Sequence, residues 1–522
     1  MVRLLLRLWH SAAAGVAAAA MAAPGHRPRP QQTEPPDWQD LTHWIVPPVP
    51  PPPSEDFGLP EPEGAAAGMA DGRSAPASAF APTLYRERNG WCPYSQRLWL
   101  ALEVKGVRGY ATALVEARGD TYDGVPTEAE ESGEDGRPEF LEGLGLPQLG
   151  VPPGVPGLPP HGPLLRSGVG EEDSASLLRD LDGIFPESRP LWPPLDGEGR
   201  PTCEAGEVAA AIEAHGTAAA ALRCGRGAES RAAGLFRPDE GFRLDPLPIS
   251  ALEVFLDSAE GLLRGGDGPF FCGPFLSAAD VVWAPVLERY AAQLPCLHRG
   301  FLPRGNRDRW PGLDRWYRAM DGVPAYACRV RGDGPSWRAV LYRDPWWPSP
   351  DIWHPRDTVG PKGELLASQD ECTAALGGTG DEEVGKVWAR YAADRPHIAP
   401  TPPREAAAAL VRNRGGILTD SARWAEEGGR ALCSAGELDV GLRALAWAIA
   451  SGGDDIDDIG DADPSFDGLL NFSGTVLLAE YLCQRICVPR DMGAPAAAAI
   501  RNFAEELAQC ARRSSLRSKG DG

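Results

Sequence analysis

The sequence predicts an α/β domain followed by all-helical sequence, with loose Pro- and Gly-rich stretches around them. Three observations carry this. A strand signal at Thr83-Leu84-Tyr85, a helix from Pro93 to Gly106 and a second strand at Ala111-Thr112-Ala113-Leu114-Val115 make one strand–helix–strand unit. From Ser250 onward the apolar residues Leu252, Phe255, Ala259 and Leu262 recur at helical spacing. At 522 residues the chain is too long for one ordinary core, so two or three domains are expected.

Each element follows from its residues. After the turn Arg88-Asn89-Gly90, Leu98, Ala101 and Leu102 give the first helix one buried stripe. Pro93 suits its first turn, where no amide hydrogen is needed, and Gly106 suits its end. The stretch Gly145-Leu146-Pro147-Gln148-Leu149 and the piece Pro163-Leu164-Leu165-Arg166 flank a Pro/Gly-rich insertion, and a helix opens at Glu172-Asp173-Ser174. Residues 195–245 are weakly patterned and read as partly helical. Ser277-Ala278-Ala279-Asp280 is a capping-box start, and Pro285 should kink the helix after it rather than abolish it. Another helix begins at Trp310-Pro311-Gly312. Beyond Arg404, helical stretches are expected around 405–411, 438–449, 476–486 and 494–511.

Composition narrows the function. With 51 basic against 73 acidic residues, net −22, the chain is a poor phosphate binder, and no nucleic-acid partner is expected. Eleven cysteines, an odd number without zinc spacing, read as reduced thiols, and no metal site is expected. Cys483 and Cys487 stand four apart, which on a helix is one shared face. The acidic run Asp454-Asp455-Ile456-Asp457-Asp458-Ile459-Gly460 has a superficial calcium-loop spacing. Ile459 and Phe466 occupy ligand positions, so a solvated loop is the better reading. The first 33 residues hold no Asp or Glu and carry Arg3, Arg7, Arg27 and Arg29 around an Ala-rich stretch, the form of a removable targeting segment. Reduced thiols then favour a plastid destination, with the mitochondrion and the secretory pathway as alternatives. Outside that N-terminus no apolar run predicts a membrane span. A short amphipathic piece, Trp38 to Ile45, reads as a docking segment.

One residue carries chemistry. Cys92 lies between a strand and the first turn of a helix, where unpaired amides and the helix dipole favour an anion. A thiolate is such an anion, so the position favours the ionised, nucleophilic sulfur. Trp91 offers a flat apolar wall, and Ser95 or the backbone amides are candidate partners of the thiolate.

The run Trp91-Cys92-Pro93-Tyr94-Ser95-Gln96-Arg97, with its helix ending Glu103-Val104-Lys105-Gly106, resembles the N-terminal domain of cysteine-type glutathione transferases. The similarity is to the omega, lambda and dehydroascorbate-reductase-like classes, and to glutaredoxins. Leu146-Pro147-Gln148-Leu149 is similar to the family's cis-proline stretch. The resemblance implies that the Leu146 backbone pairs with the cysteinyl part of glutathione; Val155-Pro156 is a second candidate for the proline. Asp173-Ser174 is similar to the acidic-Ser pair that holds the γ-glutamyl end, although most relatives have Glu where Asp173 stands. Pro93 and Tyr94 complete the implied glutathione contacts. Gly273 to Asp280 and Trp310 to Pro324 resemble the capped helix and the terminal helix of the family's all-α domain, where Ser277 and Asp280 are structural. The piece from Arg485 to Pro495 is faintly similar to extensions of large algal transferase-like proteins.

The expected organisation is a targeting segment (1–33), a Pro-rich linker (34–81), a thioredoxin-like glutathione-binding domain (82–194) and an all-α glutathione-transferase domain (195–335). A Pro/Trp-rich linker (336–403) and a helical extension (404–522) complete it. The resemblance implies glutathione as co-substrate and a small oxidised or electrophilic second substrate, in a pocket that includes Trp283 or Arg289. It leaves a homodimer open. With Ser95 rather than a second cysteine three residues on, it implies a monothiol cycle: Cys92 attacks a disulfide or oxidised substrate, and a second glutathione resolves the mixed disulfide. The alternatives are a non-catalytic binding or assembly module and conjugation of glutathione to electrophiles.

Overall fold

The computed structural model describes residues 35–48, 82–88, 90–107, 110–115, 148–150, 164–165, 171–222, 235–238, 244–343, 366–377, 380–428, 430, 433–451, 469–470, 472 and 474–520. The described chain forms two compact units. One contains Met1–Pro48, Thr401–Arg485 and Ala498–Gly522; the other contains Val49–Pro400 and Ile486–Ala497. The first begins with a short helix, α1 (Trp38–Ile45), capped by Asp37 through the amides of Gln39 and Asp40.

In the second unit, β1 (Thr83–Glu87), α2 (Pro93–Lys105) and β2 (Ala111–Val115) form the predicted strand–helix–strand unit. β3 (Gln148–Gly150) and β4 (Leu164–Leu165) follow, and the sheet order is β2-β1-β3-β4. β1 pairs parallel with β2, while β3 pairs antiparallel with both β1 and β4. A parallel βαβ crossover followed by an antiparallel hairpin is the thioredoxin-like pattern. α2 buries Leu98, Trp99, Leu100, Ala101 and Leu102, each large apolar side chain contributing about 2 kcal/mol. It ends where expected, with Gly106 in the left-handed region at φ 70°. Its last residue, Lys105, is buried and pairs with Asp182 of α3 (Glu171–Ile184), which packs against α2.

The helical part holds α4 (Ala205–Leu222), a small hairpin of β5 (Phe236–Pro238) and β6 (Leu244–Pro246), then α5 (Ile249–Gly265), α6 (Ala278–Leu297) and α7 (Pro311–Asp321). Every residue of α6 is buried, and the helix continues through Pro285 and Pro295. Its start is fixed by Asp280, whose carboxylate accepts from Ser277 N at 2.8 Å, Ser277 Oγ at 3.0 Å, Phe271 N at 3.0 Å and Trp316 Nε1 at 2.9 Å. Glu260 of α5 caps α7 by accepting from the amides of Gly312 and Leu313.

Residues 336–403, read from the sequence as a linker, instead hold helices. After a π-helical turn (Tyr326–Val330) come α8 (Gly334–Arg343), α9 (Gln369–Leu376) and α10 (Asp381–Ala392). They bury Trp337, Cys372 and Trp388, and this tertiary burial stabilises helices too short to be marked by sequence period alone.

The other unit holds α11 (Pro402–Arg412), α12 (Arg414–Glu427), α13 (Ala435–Ser451), α14 (Thr475–Arg485) and most of α15 (Ala494–Gly520). α1 docks here: Trp38 Nε1 donates to Asp439 Oδ1 at 2.7 Å, and Arg443 donates to the carbonyls of Pro35 and Pro36. α12 was not expected from the sequence. Residues 404–522 do not form one block, because Ile486–Ala497 belongs to the unit that contains Cys92. Cys483 and Cys487 do not share a helix face, since α14 ends at Arg485. Residues 1–33 and 454–460, assigned above to targeting and to an acidic loop, lie outside the described residues. No described helix is long and apolar enough to cross a membrane.

Candidate active site

Cys92 is the N-cap of α2. Its backbone is extended (φ −69°, ψ 116°), Pro93 occupies the first helical turn, and Sγ accepts from the Ser95 amide at 3.5 Å. The residue is half-buried. The geometry puts a sulfur where a side-chain oxygen normally sits, facing unpaired amides at the positive end of the helix. Between the two candidate partners named above, the amide of Ser95 takes the role. Its hydroxyl is buried and has no partner among the described residues. Tyr94 is half-buried, with the Arg97 guanidinium 5.4 Å from its ring centre.

The loop before Cys92 is fixed by charged groups. Glu87, at the end of β1, accepts from Trp91 N at 2.7 Å and Cys92 N at 3.3 Å. Arg289 of α6 donates through Nη2 to the Trp91 carbonyl at 2.7 Å and through Nη1 to Gln96 Oε1 at 2.8 Å. Its guanidinium stacks 4.2 Å from the Trp337 ring centre. Burial pushes Arg289 down to about 10, against the opposing pull of Glu288, Cys92 and Glu87. The cation thus holds the peptide before Cys92.

Gln96 links this arginine to a buried acid. Its Nε2 donates to Glu288 Oε2 at 3.2 Å and to the Val330 carbonyl at 3.2 Å. Glu288 Oε1 accepts from Gly332 N and Trp337 Nε1, both at 2.7 Å. Burial pushes the Glu288 carboxyl up, while Arg289 and the surrounding donors pull it down. The Gly332 amide, the Trp337 indole and the Gln96 amide all donate to this carboxylate, which favours its ionised form against burial. Gln96, Glu288 and Trp337 were not singled out from the sequence. The signal was present: a polar cluster, Glu288-Arg289 with Gln293, interrupts an otherwise apolar helix.

A segment from far along the chain backs the same loop. Gly90 turns at φ 73°, and a Cβ there would stand 3.0 Å from Pro489 Cγ. The Val488-Pro489 bond is cis. Pro489 O accepts from Arg329 at 3.3 Å, and Val488 N donates to Ser336 Oγ at 2.9 Å. The Cys487 thiol, pushed far up by burial, faces the Trp91 indole.

The remaining expected positions divide. Asp173 and Ser174 lie in the first turn of α3. Leu146, Pro147 and Pro156 lie outside the described residues, so the cis-proline assignment has no structural counterpart here. Trp283 and Arg289, expected at a substrate pocket, are both buried. Trp283 is a core residue, stacked on Phe271 and donating to the Ala211 carbonyl at 3.0 Å; Arg289 is held inside by the bonds above. Among the described residues, no three His, Cys, Asp or Glu side chains gather to hold a metal.

The capped α5–α7 assembly is the part that comparison with known families identifies. Residues 250–319 match the family model of the glutathione S-transferase C-terminal domain. No curated protein matches the chain. Similar solved structures include a maleylacetoacetate isomerase from Anaeromyxobacter dehalogenans 2CP-1, with 19% identity over 48% of this chain and 91% of that one at a TM-score of 0.28. Another is a glutathione transferase Omega 3C from Trametes versicolor, with 17% identity, 47% and 85% covered and a TM-score of 0.29. A Tau class glutathione S-transferase from mango, Mangifera indica, has 14% identity, 50% and 96% covered and a TM-score of 0.30. The fold assignment rests on the strand order and on the family match, and these likenesses add nothing to it.

Proposed function

We propose that the chain is a glutathione-dependent thiol transferase or reductase with Cys92 as its nucleophile. The observation that carries this is the placement of a half-buried sulfur as the N-cap of α2, accepting the Ser95 amide. The match of residues 250–319 supports the coarser part, a glutathione-transferase-like chain.

In the first step the Cys92 thiolate attacks the glutathione sulfur of a mixed disulfide R–S–S–G. The S–S bond of the mixed disulfide breaks, the electron pair leaves on RS⁻, and Cys92–S–S–G forms. In the second step a glutathione thiolate attacks the glutathione sulfur of that intermediate, giving oxidised glutathione and regenerating the Cys92 thiolate. The amide of Ser95 at the helix N-terminus faces the sulfur at the start and end of this cycle. Glu87 and Arg289 keep the sulfur in line by holding the amides and the carbonyl of its loop. Asp173 and Ser174, at the amino end of α3, are the proposed holders of the γ-glutamyl end, and Leu146-Pro147 of the cysteinyl backbone.

The experiment is turnover of a glutathione mixed disulfide by Cys92→Ser. Loss of activity with retention on immobilised glutathione supports the reading; unaltered turnover removes Cys92 from the mechanism. Failure of the unaltered chain to bind immobilised glutathione would favour the non-catalytic module instead.

A further inference from the structure

A second pair of sulfurs lies outside the Cys92 site. Cys296, in the last turn of α6, and Cys372, in α9, bring their Sγ atoms to 3.2 Å. Both residues are fully buried. A disulfide requires a sulfur–sulfur distance of about 2.05 Å, so closure asks for a movement of roughly 1 Å, within the reach of small χ1 adjustments on two helices. The elements are already latched together. Leu366 N donates to the Cys296 carbonyl at 3.1 Å, and Arg338 Nε donates to the Ala367 carbonyl at 2.8 Å.

The two sulfurs share one hydrogen bond, in which either thiol can donate to the other. The Cys296 thiol, as hydrogen-bond donor, holds Cys372 below the ordinary thiol range, with Arg338 adding a favourable charge and Glu371 opposing it. Cys296 is held well above that range by the same bond and by burial. The bond therefore favours one thiolate beside one thiol, with the thiolate at Cys372 when Cys296 donates.

We propose that Cys296 and Cys372 are a redox site that closes reversibly to an intramolecular disulfide under a small hydroperoxide, covalently joining α9 to α6. The Cys372 thiolate attacks one oxygen of hydrogen peroxide, the O–O bond breaks, and Cys372 sulfenic acid and hydroxide form. The Cys296 sulfur then attacks that sulfenic sulfur; its proton and the departing hydroxyl leave as water. Overall two thiols lose two electrons and two protons to the peroxide. Neither sulfur is exposed, so the oxidant must be small and uncharged, and access depends on local opening of the eight-residue α9.

The site is independent of Cys92, and the test keeps the two readings apart. The full-length Cys92→Ser protein is treated with hydrogen peroxide, its remaining thiols are alkylated after denaturation, and the digest is mapped by mass spectrometry. The expected result is one peptide pair joined through Cys296 and Cys372, lighter by two hydrogens and separated again by dithiothreitol. The oxidised protein should also melt at a higher temperature than the reduced one. That increase should vanish in Cys296→Ala and in the more conservative Cys296→Ser. Recovery of both cysteines as alkylated thiols, or of Cys372 as sulfinic acid beside a free Cys296, would overturn the proposal.

Discussion

Arg289 offers the sharpest test of how the Cys92 loop is held. Replacing it by Met keeps an apolar stem against Trp337 but removes the donors to the Trp91 carbonyl and Gln96 Oε1. Two buried acceptors then lack a partner, at about 1–3 kcal/mol each, and Glu288 loses its neighbouring cation. Against this, the arginine is already penalised by burial, which lowers it from 12.5 to about 10; that shift corresponds to roughly 3 kcal/mol recovered on removal. Because Glu288 keeps only the Arg331 charge and its hydrogen-bond donors against burial, the single variant should still lose about 3 kcal/mol in urea unfolding. The variant's Glu288 also lies further above its ordinary value of 4.5 than before. A carboxyl raised in the folded state costs nothing below its unfolded value, and the cost grows as pH rises through the folded value. The deficit should therefore be smaller at pH 5 than at pH 8. Adding Glu288→Gln to Arg289→Met should cost less than the two single losses together by at least about 1 kcal/mol. Strict additivity, or a deficit that grows toward acid, would refute this reading of the network.

Three further outcomes follow from the geometry. Cys92→Ser should abolish mixed-disulfide turnover without lowering the melting temperature by more than a few degrees, since a hydroxyl caps a helix at least as well as a thiol. Gly90→Ala should destabilise the chain by about 1–3 kcal/mol, because φ is 73° and the new methyl would sit 3.0 Å from Pro489 Cγ. It should also slow alkylation of Cys92; Pro489→Ala should restore part of the stability, and no recovery would separate the two residues. Asp280→Asn puts an amide group opposite two of the four donors that Asp280 now accepts. The expected loss is about 3 kcal/mol in thermal or urea unfolding, and a loss under 1 kcal/mol would mean that the box does not anchor α6.

What the sequence disclosed was local. The N-cap cysteine, Pro93 and Gly106 mark one helix by features within fifteen residues, and both ends of α2 fall where those residues place them. The capping box at Ser277 and the start of α7 were legible for the same reason. The support beneath Cys92 was not legible, because Gln96 meets Glu288 and Arg289 across 192 and 193 positions. Composition misled at 336–403, where Pro and Trp suggested a linker; Trp337 and Trp388 are instead the buried anchors of short helices. The shared-face reading of Cys483 and Cys487 failed on Pro489. Proline biases its predecessor Val488 away from helix, so α14 has to end before it.

The Cys92 loop is held on each of its polar sides by a different element. Glu87 from β1 takes the amides of Trp91 and Cys92, Arg289 from α6 takes the Trp91 carbonyl, and Pro489 closes on Gly90. The nucleophile proposed above would gain from such restraint, because attack along a disulfide axis tolerates little misplacement and immobility is supplied before substrate arrives. A buried core cysteine would need none of these bonds, since apolar packing alone would keep it in place. The cost of burying Arg289 and Glu288 under a half-exposed sulfur is therefore best accounted for by the position of that sulfur, which ties the energetics of the helical domain to the chemistry proposed for the first helix of the sheet domain.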